Sequence, residues 1–177
     1  MGLTTELDFS IKRTNNLIGE LQELVTKKWY VVGYMFSPDF SKIVLIRKNR
    51  PSWQYGLLNG VGGKVEKDED PLGAMSREFF EETGVWHTDW KTICTLDFPE
   101  ARVWFFWTVS PAYDKVATQT DETVGIHVVR DLQDYTDLVH NANWIIAMAL
   151  SFQRGERADS FNVKEIYNVR PDGEVSS

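Results

Sequence analysis

The sequence predicts an α+β domain in which a mixed β-sheet lies sandwiched between α-helices. Three observations point there. Apolar residues recur at helical spacing in three separated stretches, about residues 14–28, 71–83 and 141–154. Between them lie runs rich in β-branched and aromatic residues, at 29–36, 42–47, 90–97, 101–110 and 124–129. Tight hairpin connections join those runs, in place of a one-for-one alternation with helices, and this excludes a doubly wound parallel sheet.

Each element has its own local cause. Leu17, Ile18, Leu21, Leu24 and Val25 form the stripe of a short N-terminal helix. Trp29 to Phe36 is a strand closed by Ser37-Pro38-Asp39, and Lys42 to Arg47 resumes it as the second arm of a hairpin. Arg50 to Gly63 holds four glycines, Pro51, Trp53 and Tyr55, and is expected to be an ordered loop. Asp70 and Pro71 have the chemistry of an N-cap and a first helical position, and Gly84 that of a stop. Leu72, Met75 and Phe79 are the expected inward stripe of that helix. Trp144, Ile145, Met148 and Phe152 mark a last helix ended by Gly155. The expected organisation is a helical extension over 1–28, one folded domain over 29–155, and a tail over 156–177. In that tail "FNVKEIYNV" either adds an edge strand or folds back.

Composition narrows the function. With 177 residues, 42% of them hydrophobic, the chain can bury a full core as a single domain. Cys94 is the only cysteine, which excludes a disulfide framework and a cysteine-based zinc site and fits a reducing compartment, with the cytoplasm as the expected location. "MGLTTELDFS" lacks the basic and apolar segments of a signal peptide, and Glu6 stands where a myristoylation site wants Ser or Thr. No run of about 18 apolar residues is present, so no membrane span is expected. A formal charge of −7 disfavours stable nucleic-acid binding. It still permits an anionic substrate when a divalent cation intervenes, because the ion inverts the local charge logic. His87, His127 and His140 share no metal-like spacing, and no Ser-His-Asp or Cys-His arrangement stands out.

The most informative stretch is "REFFEETG", Arg77 to Gly84. Glu78, Glu81 and Glu82 fall at i, i+3 and i+4 near the C-terminal end of the helix, where both mutual repulsion and the macrodipole oppose them. An acidic helix face is ordinarily just solvated. Three carboxylates without a nearby histidine or cysteine also make a hard oxygen site, suited to Mg²⁺ or Mn²⁺.

Written out, "GKVEKDEDPLGAMSREFFEETGV" matches every position of the Nudix hydrolase signature, G-x5-E-x7-R-E-U-x-E-E-x-G-U with U apolar. The chain therefore resembles that superfamily. The resemblance implies the Nudix fold and Mg²⁺-dependent hydrolysis of a nucleoside diphosphate linked to another group, with Mn²⁺ as the alternative ion. Carried over residue by residue, it implies Glu78 as metal ligand or general base, and Glu81 and Glu82 as metal ligands. It further implies Gly62 as a carbonyl ligand, and Arg77 as the residue that orients a neighbouring carboxylate. Glu69 is implied as the residue that pins the loop, with a secondary catalytic role. A distant acidic ligand is also implied, for which Glu122 is the candidate, with Asp121 and Glu100 as rivals.

"NGVGGK" is similar to the segment before the signature in MutT-like nucleoside triphosphatases, which implies Asn59 at the base and Lys64 and Arg47 near the phosphates. "DLVHNANW" lacks the paired acids that the oxidised-purine enzymes carry before the last helix, so Asn141 and His140 become the candidates for a base edge, and Trp53 and Tyr55 for stacking. The expected reaction is a (deoxy)nucleoside triphosphate to monophosphate and pyrophosphate. The alternatives are an ADP-ribose or dinucleotide pyrophosphatase, for which Pro99 speaks weakly, and a non-catalytic nucleotide-binding regulator. The expected partner is a small nucleotide, with a homodimer possible through the N-terminal helix.

Overall fold

The computed structural model describes residues 12–14, 27–153 and 161–163. The helix expected over 14–28 lies almost wholly outside the described residues. The strands are β1 (Lys28–Phe36), β2 (Lys42–Arg47), β3 (Leu58–Asn59), β4 (Lys91–Asp97), β5 (Ala101–Val109), β6 (Thr123–Val128) and β7 (Phe161–Val163). Among the described residues the long helices are α1 (Pro71–Thr83) and α2 (Ala142–Gln153). Three short 3-10 turns, Ser52–Gln54, Pro111–Lys115 and Val129–Asp134, complete the connections. No described helix is long and apolar enough to cross a membrane.

The strands form a mixed sheet in the order β3-β2-β1-β5-β4-β7, with β6 also paired to β2. β1 lies parallel to β5 from Lys28↔Ala101 to Phe36↔Val109, whereas β4 and β5 form an antiparallel hairpin. β7 adds a parallel edge to β4, so this part of "FNVKEIYNV" extends the sheet.

Period-2 alternation along β1 sends its side chains to two cores. Val31 and Met35 join Met75, Phe79 and Trp90 beneath α1, while Tyr34 and Phe36 join Ile145, Ile146 and Ala149 beneath α2. The sheet is thus sandwiched between helices, as the apolar stripes predict. Each large apolar side chain withdrawn from water contributes about 1.5–3 kcal/mol. Leu72 departs from the expected stripe and is 47% exposed. Burial in α1 begins at Ala74 and continues through Met75, Ser76, Phe79 and Thr83. Leu72 points to the same side of the helix but sits in the first turn, ahead of the residues that meet the core.

One irregularity positions the site. β1 and β2 are registered only beside their turn, at Phe36↔Ile43, and then splay apart. The chain from β3 fills the gap. It pairs with β2 at Ile46↔Asn59 and Arg47↔Leu58, then crosses to β1, where Val61 exchanges two backbone hydrogen bonds with Gly33 and Gly63 accepts one from Val31 at 2.9 Å. The glycine-rich segment 60–63 is thereby held as sheet backbone alongside α1.

Candidate active site

α1 is closed at both ends by local chemistry. Asp70 accepts the N–H groups of Leu72 and Gly73 at 2.9 Å each, Pro71 supplies a preset φ, and Gly84 ends the helix at φ 74°. The helix face turned to segment 60–63 carries Glu78 and Glu82. Two glycines allow the approach. A Cβ on Gly63 would run into the Glu78 carboxylate, and one on Gly62, at φ 156°, would strike the Val31 carbonyl oxygen. The Gly62 N–H donates to Glu82 Oε2 at 3.1 Å, tying loop to helix.

Arg77 organises the outer side. Its guanidinium grips Glu69 with two parallel bonds, Nε to Oε1 and Nη2 to Oε2, both 2.9 Å. It also donates to Glu78 Oε1 at 2.9 Å, to Glu81 Oε2 at 3.2 Å and to the Lys64 carbonyl at 3.0 Å. This fork geometry suits an arginine and no other cation. The hydrogen bonds from Arg77 hold the Glu69 carboxyl below the usual range. Neither Arg77 nor Glu69 lines the cleft described below.

The three glutamates of α1 are not equivalent. The Glu81 side chain is 53% exposed, whereas that of Glu82 is 12% exposed. Burial raises the Glu78 carboxyl, an effect that Arg77 partly offsets. Burial pushes the Glu82 carboxyl up to about 7, against the opposing pull of Lys48 and the Gly62 N–H.

Glu122, at the head of β6, is brought to the same place and is 2% exposed. Its Oε1 accepts the Asn49 N–H at 2.7 Å, and its Oε2 pairs with the Lys48 ammonium. Lys48 Nζ also lies 3.7 Å from Glu82 Oε1. The rival acids lie elsewhere. Asp121 pairs with Arg50 at 3.0 Å on the surface, and Glu100 sits in the β4–β5 turn, with its carbonyl accepting the Lys28 N–H.

These groups open onto a cleft of about 830 Å³. Its charged lining is Lys48, Arg50, Lys64, Glu78, Glu81, Glu82 and Glu122. The remainder includes Val32, Val103, Phe105 and Val139, which belong to the face packed on α2, together with Phe98 and Trp53. Asn59 lines the cleft, but its amide is engaged by the protein: Oδ1 accepts from the Tyr34 hydroxyl at 3.2 Å and the Gly60 N–H at 2.8 Å, and Nδ2 donates to Gln54 at 3.3 Å. Asn141 also lines it, and its buried Oδ1 has no hydrogen-bond partner. His140 and Tyr55 are exposed and do not line the cleft, unlike Trp53.

Arg47 is placed away from the phosphate position expected for it. Its Nη1 donates to the Gly56 carbonyl at 2.5 Å and to Asp137 at 2.9 Å. The reason is strand parity: Val44 and Ile46 face α1, Ile43 and Leu45 face α2, and Arg47 continues the second set. The same alternation sends Lys48 to the carboxylates. Sequence reasoning missed Lys48: alternation separates it from Arg47, but only the packing of α1 shows which of the two sets faces the acids.

Among the described residues, no three acidic or imidazole groups converge into a ready ligand shell. Lys48 and Arg77 occupy the carboxylates instead. The chemistry nevertheless fits a divalent ion: the donors are all oxygen, those of Glu78, Glu82 and Glu122 are largely withdrawn from solvent, and the raised Glu78 and Glu82 carboxyls carry a desolvation cost that a cation would relieve.

Residues 27–147 match the NUDIX domain family. Among solved structures, the chain is similar to MutT studied from the fish pathogen Aliivibrio salmonicida and from Vibrio cholerae, with 27% identity over 71% of this chain and 99% of that one, at a TM-score of 0.59. It is similar in fold to the NUDIX domain of Shewanella oneidensis NrtR, which was crystallised with ADP ribose (18% identity, 72% of this chain and 88% of that one, TM-score 0.62). It is likewise similar in fold to a MutT NUDIX hydrolase from Burkholderia pseudomallei (19% identity, 69% and 97%, TM-score 0.58). No curated protein matches significantly. The chain belongs to the NUDIX domain family and is a MutT-like pyrophosphohydrolase by its signature and fold.

Proposed function

We propose that this NUDIX enzyme hydrolyses a nucleoside triphosphate to a nucleoside monophosphate and pyrophosphate. The observation that carries the reading is the composition of the cleft: carboxylates and cations share it with an apolar floor and an unpaired amide oxygen. A nucleotide has the same two-part character, a polyanion joined to a flat, hydrogen-bonding base.

Glu78, Glu82 and Glu122, with the Gly62 carbonyl and the more exposed Glu81, are the groups that would hold Mg²⁺, or Mn²⁺ in its place. Such ions, when bound, neutralise a diphosphate and acidify water. Glu78 accepts the proton of the attacking water, a role its raised carboxyl suits. Water oxygen joins phosphorus as the phosphoanhydride bond breaks, and pyrophosphate leaves. Arg77 keeps Glu78 in place through its bond to Oε1. Arg50 and Lys64 offer positive charge to the polyphosphate, Trp53 offers a ring face to the base, and Asn141 Oδ1 accepts an N–H from its edge.

The test is a substrate panel with Mg²⁺: canonical and oxidised deoxynucleoside triphosphates, ADP-ribose, NADH and dinucleoside polyphosphates, with products separated chromatographically. Pyrophosphate and a monophosphate from a triphosphate are the expected products. Turnover of ADP-ribose in preference to every triphosphate would replace this reading with the ADP-ribose pyrophosphatase one. Inertness across the panel, with binding retained, would favour a nucleotide-binding regulator.

A further inference from the structure

Lys48 lies outside the 23-residue signature, yet its ammonium lies between two of the site's acids. Its side chain is 12% exposed and reaches two carboxylates from different elements, Glu82 of α1 and Glu122 beside β6. The other oxygen of each acid is already engaged, Glu82 by the Gly62 N–H and Glu122 by the Asn49 N–H. The oxygens facing Lys48 are therefore the ones left to bind a cation, and the lysine is using them. Two buried anions held together without a counter-ion would be strongly destabilising, so the ammonium keeps the site assembled.

We propose that Lys48 is a tethered counter-ion that stands in for a divalent cation between Glu82 and Glu122, and that a metal ion must displace its ammonium to bind there. The proposal rests on the metal-dependent reading above and adds a residue that sets metal affinity from within. A cation entering the site meets a positive charge already in place and competes with it for the same oxygens. Loading is then weaker and more readily reversed than the buried acids alone would make it, and the freed ammonium remains in the cleft.

The experiment is a calorimetric titration of Mn²⁺ into metal-free wild type, Lys48→Met and Lys48→Gln, with no nucleotide present, alongside melting curves in EDTA and in Mn²⁺. Both variants should bind Mn²⁺ about tenfold more tightly than wild type, since each removes a like charge that competes with the ion for the same oxygens. In EDTA the melting temperature of Lys48→Met should fall by about 5 °C or more, and Mn²⁺ should restore more than it adds to wild type. Lys48→Gln keeps a hydrogen-bond donor without the charge, and it carries the test if Lys48→Met does not fold. A Kd equal to or weaker than that of wild type in the folded variants overturns the proposal, because a lysine that merely braces the structure would not loosen its hold on the metal site when removed. A wild type that shows neither heat nor a melting shift with Mn²⁺ overturns the metal-dependent reading itself.

Discussion

The two parts of the cleft are built on opposite principles. At the carboxylates nearly every polar group is paired within the protein. Arg77 joins Glu69, Glu78, Glu81 and the Lys64 carbonyl, while Lys48 joins Glu82 and Glu122. Toward the α2 face the lining is Val32, Val103, Phe105 and Val139, with Asn141 Oδ1 left unpaired and Trp53 67% exposed. A preorganised polar site can stabilise charge as it develops without reorganising. A buried acceptor without a partner costs the fold energy until a donor reaches it. Under the proposed function, the first part would carry the chemistry and the second the selectivity.

The largest break should come from Glu78→Gln, which keeps size and hydrogen bonding but cannot take a proton. Turnover should drop by about 100-fold or more, the scale of general-base removal, with a small change in KM. Unchanged turnover would remove Glu78 from the chemistry. Next in size is Arg77→Lys, which keeps the charge and loses the fork. Steady-state kinetics should show about a tenfold lower kcat, and the melting temperature should fall by about 3–5 °C, since charge-assisted bonds contribute more than neutral ones and this site is partly exposed. Equal kcat in Lys and Arg forms would reduce Arg77 to a plain counter-charge.

A smaller effect follows from Glu82, whose carboxyl is pushed up to about 7 from 4.5. A proton held there stabilises the metal-free fold fully below pH about 4.5, and that contribution is lost as pH rises through about 7. Above that point the carboxylate is charged, buried and most in need of a cation. Mg²⁺ should therefore raise the melting temperature more at pH 8 than at pH 6, and Glu82→Gln should flatten the difference. A pH-independent rise would show that the carboxyl titrates normally.

The subtlest test sharpens the selective part. Asn141→Ala should leave the melting temperature unchanged or raise it, because the buried oxygen it removes has no partner. The same change should lower kcat/KM for the preferred nucleotide about tenfold, the value of one unmade hydrogen bond in a closed pocket. A lower melting temperature with unaltered selectivity would mean that Asn141 serves only the fold.

Much of this was legible in the sequence, for a reason that α1 illustrates. Asp70, Pro71 and Gly84 bound the helix through contacts within three or four residues, and the spacing of Glu78, Glu81 and Glu82 follows from its pitch. Strand positions were legible too, because β-branched and aromatic runs declare themselves locally; each of the five expected strand runs, like the helices over 71–83 and 141–154, lies within a residue or two of its observed element. Inward and outward were harder. Leu72 has the right spacing to be buried, but only the extent of the sheet decides whether anything lies over the first turn of the helix.

Tertiary structure alone decided which distant residues share the site. Arg47 and Lys48 are neighbours of like charge, and composition cannot rank them. The side of the sheet on which α1 packs gives Lys48 to the acids and Arg47 to Asp137. Glu122 lies 40 positions beyond Glu82 in the sequence, and the antiparallel pairing of β6 with β2 brings it beside Lys48. The apolar floor is shared between β1 and β5, which are parallel neighbours far apart along the chain. Short-range sterics and hydrogen bonding settle a helix and its caps, so the signature and the helix that carries it could be read locally. Long-range pairing is settled by the joint burial of every strand at once, and that decided what else faces that helix.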